Sequence, residues 1–245
     1  MIWAIHGFTG SPDSWNDTQA VPGSQCLRVL GHGELSIAQG KESFTDEVSR
    51  LSAELPTSGV HLVGYSLGAR LALGIALKDP SRLRQLTLIG VHPGLENEHD
   101  RVSRKKSDQA WATLLRTEGI AAFVQAWQEL PMWESQQELP VSKQDAQRAQ
   151  RLQHDPLQLA HATQSLGTGS MPPMWHSLPS LSMPVQLIVG ERDNKYLEIA
   201  KAMLATLPDG HLEVISGAGH NPVLEAPIAI ARLLAEFNQP ASVAL

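Results

Sequence analysis

The sequence predicts an α/β fold: a mostly parallel sheet with helices on both faces and a helical cap inserted in the middle of the chain. Three observations carry this. Short apolar runs alternate with amphipathic helical patterns over residues 1–95 and again over 176–245, which implies a covered parallel sheet. Residues 96–175 contain no convincing strand and read as successive helices. Within the first of these segments, the run at 60–63 meets Gly64-Tyr65-Ser66-Leu67-Gly68 and a helical pattern starts at once. In that setting the turn presents a serine hydroxyl, exposed and strained, at the top of a sheet.

The elements follow in order. Residues 2–5 form an apolar strand ending at His6-Gly7-Phe8-Thr9-Gly10, and 26–30 read as a second strand ending in Gly31-His32-Gly33. Phe44, Val48, Leu51 and Leu55 recur at helical spacing over 43–55, with Ser43 as cap and Asp46 three residues on. Strand 60–63, the serine turn and helix 67–78 come next; Asp79-Pro80 closes that helix and 83–89 is again strand-like. Helices are expected around 98–117, 119–130, 143–153 and 156–165, and four of the six tryptophans fall within 111–175. The alternating pattern resumes with strand 185–190, helix 196–206, strand 211–215 and helix 226–237. The expected division is therefore a core of 1–95 and 176–245 and a cap of 96–175, with Pro/Gly-rich junctions at His92-Pro93-Gly94 and Pro172-Pro173.

Bulk properties narrow the function classes. The 245 residues are 42% hydrophobic and 18% charged, an ordinary soluble composition. A net charge of −6 argues against nucleic acid, and no apolar run reaches the roughly 20 residues a membrane span needs. The N-terminus lacks the basic region of a signal peptide, so a cytoplasmic location is the expectation. The lone Cys26 excludes an internal disulfide and a thiolate cluster and reads as a partly buried filler. The remaining histidines form no metal-ligand pattern, so neither metal nor cofactor is expected.

A serine hydroxyl is a weak nucleophile or base alone. It needs a histidine, and the histidine needs an orienting carboxylate. In a parallel sheet these groups gather beyond the carboxyl ends of strands. Asp193 follows strand 185–190 in Gly190-Glu191-Arg192-Asp193, and His220 follows strand 211–215 in Gly217-Ala218-Gly219-His220. Glu191 competes for the acid role but lies nearer the strand end. The order Ser66, Asp193, His220 is that of an α/β-hydrolase. The backbone N–H groups of Phe8 and Leu67 are candidates for an anion hole, and His6 reads as structural.

Those motifs, taken with His-Gly-Phe-Thr-Gly at 6–10, resemble the α/β-hydrolase superfamily across the core. A narrower set is similar to one family on that fold, the 2-succinyl-6-hydroxy-2,4-cyclohexadiene-1-carboxylate synthases of menaquinone biosynthesis. It comprises Gly64-Tyr65-Ser66-Leu67-Gly68-Ala69-Arg70, His92-Pro93-Gly94-Leu95, the basic stretch 101–106 before Ser107-Asp108, Gly190-Glu191-Arg192-Asp193-Asn194-Lys195, and Gly167-Thr168-Gly169 with Pro172-Pro173-Met174-Trp175. The resemblance implies a lyase that removes pyruvate from 2-succinyl-5-enolpyruvyl-6-hydroxy-3-cyclohexene-1-carboxylate, the triad acting as base. It also implies substrate contacts from Tyr65, Arg104, Trp127 and Arg151. Three substrate carboxylates call for fixed cations, and Arg70 lies one helical turn from Ser66 on the same face.

Blander readings stand beside these. Arg101, Arg104, Lys105 and Lys106 fit one solvated helix face, Arg148 competes with Arg151, and Trp127 fits a cap core. Two departures matter. Relatives carry Asp-x-Pro-Gly-His-Gly where this chain has Leu30-Gly31-His32-Gly33, and the early antiparallel hairpin of many α/β-hydrolases is missing, so the sheet should be about two strands shorter. The expected partner is a small tricarboxylate, with no nucleic acid or membrane, for a monomer or weak homo-oligomer. The competing function is a carboxylesterase or thioesterase using Ser66 as nucleophile; a non-enzymatic binding protein is disfavoured by the complete triad. Esterase pockets are mostly apolar, whereas a tricarboxylate pocket cannot be.

Overall fold

Every residue of Val60–Tyr65 (β3) is buried, as a strand covered on both faces requires. The computed structural model describes residues 1–18, 24–33 and 42–238. Within them β3 pairs with β1 (Ile2–Ile5) on one side and β4 (Leu83–Ile89) on the other; β2 (Gln25–Leu27), β5 (Val185–Gly190) and β6 (Gly210–Ile215) complete the sheet. Its order is β2-β1-β3-β4-β5-β6 and each neighbouring pair is parallel. The expected α/β-hydrolase architecture is thus observed, with the sheet wholly parallel among the described residues.

Side chains alternate across the pleat into two cores. Leu62, Leu86, Leu88 and Leu187 pack with α1 (Phe44–Glu54) and α2 (Leu67–Lys78). Ile2, Ala4, Val63 and Ile188 face Ile230, Leu233 and Leu234 of α8 (Pro227–Phe237). Ser43 and Asp46 cap α1 reciprocally.

β2 is shorter than the expected 26–30. The N–H of Val29 goes to the His6 ring and that of Leu30 to Glu47 Oε1, so side chains take the donors a longer ladder would use. Between β4 and β5 the chain runs through α3 (Glu98–Gln128), α4 (Val141–Leu152) and α5 (Pro156–Ser165). The two helices expected at 98–117 and 119–130 form one element bent at Gly119, whose φ of 79° only glycine adopts freely. Phe123, Val124, Leu115 and Leu159 give this insertion its own core. It returns beside its exit, where the N–H of Met174 donates to Pro93 O at 2.7 Å and Trp175 Nε1 to Gly94 O at 2.9 Å. The remaining elements are α6 (Asn194–Leu204) and the single turn α7 (Pro222–Glu225). No helix among the described residues is long and apolar enough to cross a membrane.

Candidate active site

Strand order reverses between β1 and β3, and the functional groups collect at the carboxyl ends around that point. Ser66 sits between β3 and α2 with φ 51° and ψ −107°, a strained conformation for a residue with a Cβ. Its N–H is held by Ile89 O at 2.8 Å. The turn is possible because two glycines flank it. A Cβ at Gly64 would run into the carbonyl of Gly68, and one at Gly68 would run into the carbonyl of Ile5.

Ser66 Oγ is 3.1 Å from His220 Nε2, and His220 Nδ1 is 2.6 Å from Asp193 Oδ2. Nδ1–H therefore donates to the carboxylate, leaving Nε2 to accept from the hydroxyl. Glu191 is turned outward, accepting from Ser216 Oγ and the Gly217 N–H at 2.9 and 2.8 Å, which settles the geometry in favour of Asp193. The imidazole is enclosed by Tyr196, Trp133 and Tyr65, with ring centroids 4.4, 5.6 and 5.8 Å away. Its loop is clamped by Glu225, whose two oxygens accept from the N–H groups of Gly219 and Asn221 at 2.5 and 3.1 Å.

Leu67 occupies the first position of α2, where its N–H has no intrahelical acceptor. Phe8 follows β1, the neighbour of β3. Both candidate anion-hole donors thus lie at adjacent strand ends. A cavity of about 400 Å³ opens above Ser66, lined by Phe8, Tyr65, Leu67, Arg70, Arg104, Trp127 and Tyr196 among others. A second chamber of about 380 Å³ adjoins it through Phe8, Tyr65 and Trp133, and Arg151 lines this one. The three expected arginines therefore divide: Arg70 and Arg104 face the serine cavity, and Arg151 faces its neighbour.

Their surroundings differ too. Arg70 is buried, donating to Leu166 O at 2.7 Å and approaching Met171 Sδ at 3.6 Å. Burial lowers its guanidinium to about 10, so it stays cationic at neutral pH. Arg104 is bonded to the buried Asp108 at 2.8 Å and so carries a partner of its own. Burial raises the Asp108 carboxyl, and its Oδ2 has no hydrogen-bond partner. Of the other basic residues in that stretch, Arg101 pairs with Glu98 while Lys105 and Lys106 are exposed. Arg148 is exposed and bonded to Gln128, whereas Arg151 is buried over the Trp133 ring at 5.3 Å with Nη1 unpartnered. Its pKa is lowered to about 10 by burial. Tyr65 Oη and Trp127 Nε1 are likewise buried without a partner, and burial raises the Tyr65 phenol well above its usual value. Trp127 stacks on Phe123 at 5.4 Å and also lines the cavity. No cluster of three or more potential metal ligands occurs among the described residues.

Sequence reasoning missed Tyr196, Trp133 and Glu225. Tyr196 could have been found, because it lies three residues beyond Asp193 on α6. Glu225 carries a weaker signal, five residues after His220. Trp133 reaches the imidazole only through the fold of the insertion.

Known proteins resemble this chain in sequence and in fold. Residues 4–233 match the family described as the alpha/beta hydrolase family. The 2-succinyl-6-hydroxy-2,4-cyclohexadiene-1-carboxylate synthase of Enterobacter sp. (strain 638) is 34% identical over 95% of this chain and 89% of its own length. A Bacillus subtilis (strain 168) protein provisionally named for the same activity is 35% identical over 96% of this chain and 89% of its own. The structure of MenH from S. aureus superposes with a TM-score of 0.91 at 30% identity, covering 97% of this chain and 92% of that one. A malate-bound esterase from Thermogutta terrifontis shares the fold at a TM-score of 0.81 and 23% identity, covering 96% of this chain and 88% of that one. The chain belongs to the alpha/beta hydrolase family and, within it, to the 2-succinyl-6-hydroxy-2,4-cyclohexadiene-1-carboxylate synthases.

Proposed function

We propose that this enzyme eliminates pyruvate from 2-succinyl-5-enolpyruvyl-6-hydroxy-3-cyclohexene-1-carboxylate, giving 2-succinyl-6-hydroxy-2,4-cyclohexadiene-1-carboxylate. His220, oriented by Asp193, takes the Ser66 proton as Ser66 Oγ removes a proton from the substrate ring. The freed electron pair forms a new ring double bond, the existing ring double bond shifts by one position, and the carbon–oxygen bond to the enolpyruvyl group breaks. The leaving enolate takes up the proton held by His220 and becomes pyruvate, which returns the triad to its starting state. No acyl-enzyme forms. The Phe8 and Leu67 N–H groups stabilise negative charge developing on a substrate carboxylate. The reaction needs neither metal nor cofactor.

The observation that carries this reading is Arg70. A buried cation is costly unless an opposite charge meets it, and its hydrogen-bond partners among the described residues are a carbonyl and a thioether. It stands one turn from Ser66 in the same cavity, as a carboxylate-bearing substrate requires. Arg104, Arg151, Tyr65 and Trp127 supply the remaining substrate contacts, Arg151 from the adjoining chamber. In this reading residues 96–175 act as a cap over a core of 1–95 and 176–245, and the enzyme works in the cytoplasm as a monomer or weak homo-oligomer without nucleic-acid partners.

The test is direct. Incubation with the enolpyruvyl substrate should release pyruvate, and Ser66→Ala, Asp193→Asn or His220→Ala should each lower turnover by at least about 10³-fold. Absence of pyruvate above background, together with brisk hydrolysis of p-nitrophenyl acetate, would overturn the proposal in favour of a serine esterase.

A further inference from the structure

Three histidines outside the triad are buried side by side. His6 follows β1, His32 lies in the Gly31-His32-Gly33 turn, and His154 lies just beyond α4; they are 0, 1 and 5% exposed. Their rings meet edge-on, with centroids 5.2 Å apart for His6 and His32 and 5.3 Å for His32 and His154. Every ring nitrogen has a backbone partner. His6 Nε2 accepts from the Val29 N–H at 3.2 Å and Nδ1–H donates to Gly7 O at 2.8 Å. His32 Nε2 accepts from the Thr9 N–H at 3.1 Å and Nδ1–H donates to Leu30 O at 3.1 Å. His154 Nδ1 accepts from the Gly33 N–H at 3.3 Å and Nε2–H donates to Thr9 O at 3.0 Å. A backbone N–H only donates and a carbonyl only accepts, so each ring is held neutral in one tautomer. No lone pair is left for a metal.

Two of these contacts converge on Thr9. Its N–H is bound by His32 and its carbonyl by His154 of the insertion. Thr9 has φ 62°, a left-handed conformation that a β-branched residue keeps only when its surroundings impose it. Thr9 follows Phe8 directly, and the Phe8 ring is itself wedged between His32 at 5.5 Å and Trp127 at 5.4 Å.

We propose that His32 and His154 are positioning residues for the Phe8 N–H, gripping the strained Thr9 turn from both sides so that the anion hole is correctly placed only when the end of α4 is seated. This rests on the anion-hole role given to Phe8 above. It also explains what the altered Gly31-His32-Gly33 segment does, since its imidazole links the first strand's loop to the insertion.

The experiment uses paired substitutions in the full-length protein. A Gln amide at 154 reaches the place of Nε2 and can still donate to Thr9 O, whereas Asn replaces Nδ1 and keeps only the Gly33 contact. His154→Asn should lower kcat about 10- to 100-fold with KM within about threefold, because a displaced anion-hole donor is lost mainly in the transition state. His154→Gln should stay within about fivefold of the unaltered enzyme. His32→Gln keeps an acceptor for the Thr9 N–H and should outperform His32→Ala by about tenfold or more. Adding Thr9→Gly to His154→Asn should recover several-fold in kcat, since glycine adopts that φ without support. Equal kcat for Asn and Gln at 154, a loss confined to KM, or no recovery with Thr9→Gly would overturn the proposal. If His154→Asn does not fold, the two His32 variants decide it. Wild-type pyruvate release is measured first. If there is none, the reaction assigned above has failed, and the same variants are read on p-nitrophenyl acetate, whose tetrahedral intermediate needs the same hole.

Discussion

Glu225 holds His220 from both sides, one carboxylate accepting the N–H groups of the residues before and after it. An imidazole on a glycine-bearing loop would otherwise move relative to Ser66. Glu225→Gln leaves one oxygen for two donors. Turnover should fall about tenfold with KM within twofold, since a misplacement of about 1 Å is felt in the chemical step. Steady-state kinetics of pyruvate release check this; a rise in KM at unchanged kcat would contradict it.

Tyr65 has a buried hydroxyl with no partner among the described residues. An unsatisfied buried hydroxyl costs about 1–3 kcal/mol. Tyr65→Phe should therefore leave the thermal midpoint unchanged or raise it by a few degrees. The same change should lower kcat/KM by about tenfold if the hydroxyl makes the substrate contact proposed for it. Parallel melting and kinetic measurements separate the two effects; a lowered midpoint would refute the idea that the group stands idle in the free protein.

Arg70→Ala should separate the two chemistries this fold supports. Losing a charge-assisted contact to a substrate carboxylate costs about 1.5–3 kcal/mol, or roughly 10- to 100-fold in kcat/KM. Hydrolysis of the neutral ester p-nitrophenyl acetate should change less than about threefold. If both fall equally, Arg70 serves the structure of the site and not the charge of its ligand.

Acid should destabilise the protein well before its carboxylates titrate. Burial lowers His6, His61 and His92 to about 4, and lowers His32 and His154 as well. A free imidazole titrates near 6.5, so between 6.5 and 4 the unfolded chain binds protons the folded one refuses. Stability is full above 6.5 and declines as pH falls, by up to about 1.4 kcal/mol per unit for each group. The thermal midpoint should drop by more than about 10 °C from pH 7 to pH 4.5. A flat midpoint from pH 7 to 5 would show these rings are not held neutral.

Much of the site is legible along the chain because its chemistry is local. The Ser66 elbow is written in five adjacent residues, and the acid and histidine each follow an apolar run directly. Asp193 is favoured over Glu191 by distance to the strand end, and Glu191 indeed faces the Ser216-Gly217 turn. What stays hidden depends on side chains from distant segments. β2 stops early because His6 and Glu47 take its donors. Arg104 is partly neutralised by Asp108, a pairing visible at i+4 yet given no weight in the sequence reading. Arg151, not Arg148, is the buried member of its pair, but that it opens on a separate chamber is a matter of how α4 packs, which periodicity cannot express.

The hydrogen bond from Arg70 to Leu166 O joins the helix carrying the serine to the insertion. On this fold, new specificities are commonly imagined as exchanges of the inserted helices over a fixed catalytic platform. Here the platform is unfinished alone. A graft that fails to bring a carbonyl to that point leaves a buried guanidinium with no acceptor, a defect of several kcal/mol before any substrate is considered. Recombination between relatives should therefore succeed only where position 70 and the backbone around 166 travel as a pair.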